Sequence, residues 1–168
     1  MIIFLDIDGV LNDHCALPSK YCGTKRECVL NFNAVLDAVP DAKIVVSSAW
    51  RYMILRGDVT LRGFEMLLLT HGVKCDGRII GHTEADGKIE DEPSHFHPQA
   101  WSVAGLRWRK EQIYRWVKSS EIARFVVVDD LDLGMPEQVK IDGETGMTIL
   151  DADEVISRLK KAKDTNPT

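Results

Sequence analysis

Ile2-Ile3-Phe4-Leu5-Asp6-Ile7-Asp8-Gly9-Val10-Leu11 is the stretch on which the reading of this chain turns. Four apolar residues make a short buried strand, and two carboxylates follow it at once. Like charges this close repel unless a cation or a proton stands between them. The pattern therefore points to a divalent metal at the strand end, or to one carboxylate that attacks while the other handles a proton. Gly9 suits a chain that turns sharply just beyond the strand. The plain alternative is a strand followed by an Asx-type turn.

The same arrangement recurs downstream. Phe125-Val126-Val127-Val128 runs straight into Asp129-Asp130. Between and after these two segments, apolar runs alternate with helical patterns. Leu30, Val35, Leu36 and Val39 lie at helical spacing over 29–39, closed by Pro40 and Asp41. Ile44-Val45-Val46 is a second strand. Residues 61–71 read as a helix with Gly72 as its stop. A short strand is expected at 78–81, helices at 109–117 and 152–161, and a fifth strand at 138–141. Strands alternating with helices predict an α/β fold, a single doubly wound domain spanning 1–168 around a central parallel sheet. In such sheets ligands bind beyond the carboxyl ends of the strands. If the first and fourth strands are neighbours, Asp6, Asp8, Asp129 and Asp130 converge there. An all-oxygen set suits Mg²⁺ better than Zn²⁺. Residues 84–105 are irregular in pattern and are expected to be an active-site loop or lid.

Composition narrows the class. The chain has 168 residues, 45% of them hydrophobic, with Asp and Glu (26) outnumbering Lys and Arg (21) for a net charge of −5. That balance describes a folded globular protein and excludes one that coats nucleic acid by bulk positive charge. No apolar run is long enough to cross a bilayer, and the short apolar start, interrupted by Asp6 and Asp8, is not a signal peptide. The cysteines Cys15, Cys22, Cys28 and Cys75 lack paired metal spacing, so reduced thiols in a cytoplasmic protein are expected; a disulfide of Cys15 with Cys22 or Cys28 stays open.

Several other residues bear on chemistry. Ser47-Ser48 follows the second strand, where a hydroxyl and backbone N–H groups can meet a phosphoryl oxygen, although serine there is also ordinary turn chemistry. Arg107, Arg109 and Lys110 open the helix expected at 109–117. Cations at a helix N-terminus oppose its dipole, which argues for an anionic partner or for a solvated basic patch. Arg51 has a guanidinium suited to a phosphate, or to an ion pair. His95-Phe96-His97 with Glu90, Asp91 and Glu92 does not make a closed zinc set. Trp116, at helical spacing from Ile113, belongs to the core; Trp101 is the more open candidate for base stacking.

Taken in order, Asp6-Ile7-Asp8-Gly9, Ser47 after a strand, Lys110 or Arg109 on a helix, and Asp129-Asp130 after a strand resemble the four motifs of the haloacid dehalogenase superfamily of phosphotransferases. Phe4 to Asn12, Ser47-Ser48-Ala49-Trp50-Arg51 and Asp129-Asp130 are similar to its small phosphatases with a small or absent cap, some of which are modules of RNA-repair proteins. The resemblance implies that Asp6 is the nucleophile and passes through an aspartyl phosphate, and that Asp8 is the general acid and base. It implies that Ser47 (or Ser48) and Lys110 (or Arg109) hold the phosphoryl group, with Gly9 and Arg51 on the phosphate side. Mg²⁺ would be held by the Asp6 carboxylate, the Asp8 carbonyl and Asp130, with Asp129 behind it. The function expected is a Mg²⁺-dependent phosphomonoesterase. A polynucleotide 3′- or 5′-end phosphatase or nucleotidase is the alternative, and a non-catalytic phosphate-binding regulatory module is the alternative of another class. The partner is thus a phosphorylated small molecule or nucleic-acid end, not a membrane. Arg51, Arg56, Arg62, Arg107 and Arg109 are expected to make the cleft locally basic.

Overall fold

The computed structural model describes residues 1–13, 23–84, 103–120, 122 and 124–161. Five parallel strands form one sheet: β1 (Ile2–Leu5), β2 (Lys43–Val46), β3 (Ile79–His82), β4 (Phe125–Asp129) and β5 (Gln138–Lys140), in the order β3-β2-β1-β4-β5. Five α-helices accompany them: α1 (Arg26–Ala38), α2 (Tyr52–Leu55), α3 (Leu61–Thr70), α4 (Val103–Ser119) and α5 (Ile149–Lys161). The described residues contain no second sheet or cap. No helix among them is long and apolar enough to cross a membrane. The expected lid at 84–105 lies almost wholly outside the described residues, as do Cys15, Cys22, Trp101 and the two histidines His95 and His97. Cys28 and Cys75 are buried free thiols.

Strand alternation sorts the core into two layers. Ile3, Leu5, Ile44, Val46, Val126 and Val128 face one way, onto α1, α3 and α5 through Phe32, Leu36, Phe64, Leu68 and Val155. Ile2, Phe4, Val45 and Val127 face the other way, onto Ile113 and Trp116 of α4. Phe4 meets the Trp116 and Phe125 rings edge-to-face, with centroids 5.5 and 5.6 Å away. β1 is therefore covered on both sides, which is why its four residues read as an unbroken apolar run.

After β2 a 3₁₀ turn, Ala49–Arg51, runs directly into α2. One sequence expectation needs correcting. The helix expected at 109–117 begins at Val103 instead. Arg109 and Lys110 thus lie well inside α4, beyond the first turn to which the dipole effect is confined, so no dipole conflict demands an anion there.

Candidate active site

The strand order reverses between β1 and β4, the switch point at which open α/β sheets bind ligands. β1 pairs with β4 in register from Ile2↔Phe125 to Leu5↔Val128. The residues that follow, Asp6 and Asp129-Asp130, are therefore brought side by side. One carboxylate oxygen from each of Asp6, Asp129 and Asp130 lies within 4.8 Å of the others. All three side chains are at least nine-tenths buried.

Arg109 enters this cluster from α4. Its Nη1 donates to Asp6 Oδ2 at 2.6 Å and to Asp129 Oδ2 at 2.8 Å. The remaining oxygens of the two acids accept from backbone: Asp6 Oδ1 from the Ile7 N–H at 2.7 Å, Asp129 Oδ1 from the Leu131 N–H at 2.9 Å. Lys110 is not brought to the site. Its Nζ donates to the Gly134 carbonyl at 2.8 Å and lies over the Tyr114 ring. Consecutive helical residues point about 100° apart, so only one of the two can face the sheet, and Arg109 holds that position.

Burial works against the Arg109 charge, but the carboxylates of Asp129 and Asp6 outweigh it and its pKa is raised. Burial pushes the Asp129 carboxyl up as well; Arg109 pulls it down, and the charges of Asp6 and Asp130 add to the rise. These residues fit a hard divalent cation: the donors are all oxygen and they converge on one point.

Gly9 makes the close approach possible. Its φ is +72°, and a Cβ there would sit 2.7 Å from Cγ and Oδ2 of Asp130. Gly9→Ala is expected to cost about 2 kcal/mol or more, since it combines left-handed strain with a clash against the Asp130 carboxylate. Urea unfolding checks the first effect and Mg²⁺ titration calorimetry the second; wild-type values in both would rule it out.

Asp8 is held apart from the cluster. Its Oδ1 accepts from Asn12 Nδ2 at 3.1 Å and its Oδ2 from Trp50 Nε1 at 3.0 Å, while Asn12 Oδ1 accepts from the Gly9 N–H at 2.8 Å. Gly146, with φ +71°, lets the Asn12 backbone pack closely: a Cβ there would lie 2.6 Å from the Asn12 carbonyl oxygen. Asn12 and Trp50 were not among the expected site residues. Asn12 stands four residues from Asp8 in the first quoted motif, which was the available signal for it; Trp50, 42 residues away, had none.

The two serines separate cleanly. Ser48 Oγ accepts from the Trp50 N–H at 3.2 Å and so caps the 3₁₀ turn. Ser47 is fully buried, and its Oγ has no hydrogen-bond partner among the described residues. Arg51 is also buried: Nη1 donates to the Ser48 carbonyl at 2.9 Å and to the Ser47 carbonyl at 3.4 Å, and Nη2 to Gln112 Oε1 at 3.2 Å. It braces the loop after β2 against α4. Gln112 was also missed, although it lies three residues from Arg109 and hence on the same helix face.

Three of the arginines expected to make the cleft basic have acidic partners of their own. Arg56 pairs with Asp58, Arg62 with Glu65 and Asp76, and Arg107 with Glu111. Of the five arginines, Arg109 contacts Asp6 and Asp129 of the acid cluster.

A five-stranded parallel sheet with an acid pair after β1, a serine after β2 and a second acid pair after β4 at its switch point defines a small domain of the haloacid dehalogenase type. The chain belongs to the family described as the HAD domain in Swiss Army Knife RNA repair proteins, whose model matches residues 2–156. No curated protein and no solved structure matches the chain significantly.

Proposed function

We propose that this protein is a Mg²⁺-dependent phosphomonoesterase of the cytoplasm that works through an aspartyl phosphate and acts on nucleic-acid ends. The observation that carries this is the division of labour among the acids. Asp6, Asp129 and Asp130 converge on one point with Arg109, while Asp8 is oriented beside them by neutral donors. The family's occurrence in RNA-repair proteins supports a nucleic-acid end as the substrate.

Asp6 attacks phosphorus, its oxygen forming a bond as the ester P–O bond breaks. Asp8 gives its proton to the departing oxygen, so the alcohol leaves neutral. Water then attacks the phosphorus, Asp8 takes up its proton, and the bond from Asp6 to phosphorus breaks to release inorganic phosphate. Ser47 Oγ donates to a phosphoryl oxygen, and the Arg109 guanidinium offsets charge on Asp6 and on the phosphoryl group. Ser48 and Arg51 hold the loop that carries Ser47. Asp6, Asp130 and the Asp8 carbonyl would hold Mg²⁺, with Asp129 fixing Arg109 and the cluster behind them. The ion supplies charge neutralisation to the nucleophile and the phosphoryl oxygens.

Activity should therefore vanish in chelator and return with Mg²⁺ or Mn²⁺. A release assay for inorganic phosphate over 3′- and 5′-phosphorylated oligonucleotides, free nucleotides, sugar phosphates and nitrophenyl phosphate tests the whole reading. Full turnover in chelator excludes the metal. Turnover of metabolites alone excludes the nucleic-acid end. No turnover of any ester, with phosphate binding retained, points to a regulatory module.

A further inference from the structure

The sheet carries a fourth polar group in line with the first three. On the face covered by α4, Asp129, Asp6 and Ser47 follow Val127, Phe4 and Val45 at the carboxyl ends of β4, β1 and β2. β3 continues the row. Gly81 is registered with Val45 and lies beneath the Trp116 ring of α4. Alternation then places Thr83 on the same face, and the Thr83 N–H donates to the Val46 carbonyl at 2.9 Å, beside Ser47. Thr83 is fully buried, and its hydroxyl, like that of Ser47, has no hydrogen-bond partner among the described residues.

A buried hydroxyl left unpaired costs about 1–3 kcal/mol. Two of them on adjacent strands, in line with the nucleophile, form a neutral extension of the acid cluster. Adjacent strands stand about 4.8 Å apart, so Thr83 lies roughly one strand spacing beyond Ser47. The β4 side of Asp6 is crowded with carboxylates and suits a cation. A sugar attached to the bound phosphate is accommodated better on the opposite side, over β2 and β3, where the Ser47 and Thr83 hydroxyls stand and the charged neighbour is the Arg51 guanidinium rather than a carboxylate.

We propose that the Thr83 hydroxyl contacts the sugar hydroxyl next to the scissile phosphate, which makes the site selective for ribonucleotide 3′-phosphate ends. The 2′-hydroxyl fits this contact because only the ester oxygen and two ring carbons separate it from a 3′-phosphorus. The assignment rests on the phosphatase reading above and names its substrate more closely. A contact of this kind discriminates against a substrate that lacks the partner hydroxyl.

The test compares kcat/KM, with Mg²⁺, for two oligonucleotides of one sequence bearing a 3′-phosphate on a terminal ribose or deoxyribose. Wild type should favour the ribose end by about three- to tenfold, the worth of one neutral hydrogen bond. Thr83→Val keeps the side-chain shape and should bring the ratio close to unity, while Thr83→Ser should retain it. Thr83→Val should also melt at or above the wild-type temperature, since it removes an unpaired buried hydroxyl. Absence of a ribose preference in wild type, or its persistence in Thr83→Val, overturns the assignment. If neither oligonucleotide is hydrolysed, the nucleic-acid phosphatase reading fails separately. Fluorescence anisotropy of the same two oligonucleotides then decides for Thr83: a ribose preference in binding that Thr83→Val abolishes upholds it, and equal or absent binding overturns it.

Discussion

Asp6→Asn should abolish turnover and, with it, any acid-stable label transferred from a ³²P-phosphorylated substrate to the protein. An amide cannot form the acyl phosphate, and the neighbouring carboxylates are otherwise engaged: Asp129 is bound to Arg109 and to the Leu131 N–H, Asp8 is turned toward Asn12 and Trp50, and Asp130 is the acid proposed to hold Mg²⁺. Asp8→Asn should behave differently. It removes the proton donor while leaving the backbone carbonyl, and it should slow turnover by roughly 10²–10⁴-fold, the usual worth of acid–base catalysis. With nitrophenyl phosphate the leaving group needs little protonation, so the first step proceeds and the aspartyl phosphate accumulates. Rapid-quench measurement of the burst distinguishes the two variants. Near wild-type rates in Asp6→Asn, together with a dead Asp8→Asn, would reverse the two roles.

Arg109→Met and Lys110→Met should differ sharply in stability, although the residues are adjacent. Removing Arg109 leaves the Asp6 and Asp129 carboxylates buried without their cation. Breaking a buried ion pair in this way costs about 3–5 kcal/mol. Lys110 contacts the Gly134 carbonyl and the Tyr114 ring at the protein surface, so its loss should cost under about 1 kcal/mol. Urea denaturation at neutral pH measures both. Mg²⁺ should restore part of the loss in Arg109→Met, because a cation bound by the same acids stabilises the folded state in proportion to its occupancy. An unaltered midpoint for Arg109→Met, or a larger loss for Lys110→Met, would mean that the guanidinium does not neutralise the cluster.

The α/β class, the strand order near the site and the place of the acids were legible in the residues. A buried parallel strand must be apolar along its whole length, so carboxylates can appear only where it ends. Two strands ending in acid pairs mark the same edge of the sheet. The helix starts were less legible. α4 begins six residues before Arg109, and Arg109 and Lys110 stand four and three residues before the core residue Ile113, both spacings that share a helix face, so the two could not be told apart. The choice between Ser47 and Ser48 depended in the same way on which hydroxyl the 3₁₀ turn uses as its cap. The clamp on Asp8 joins Trp50 to a carboxylate 42 residues away, and Arg62 finds Asp76 across 14 residues. Contacts of this kind come from chain reversals that no local pattern records. Residue type and strand ends set which chemistry the chain can perform, whereas packing of α4 across the sheet set which cation takes part in it, and the 3₁₀ turn after β2 set which hydroxyl and which neighbour of Asp8 do so.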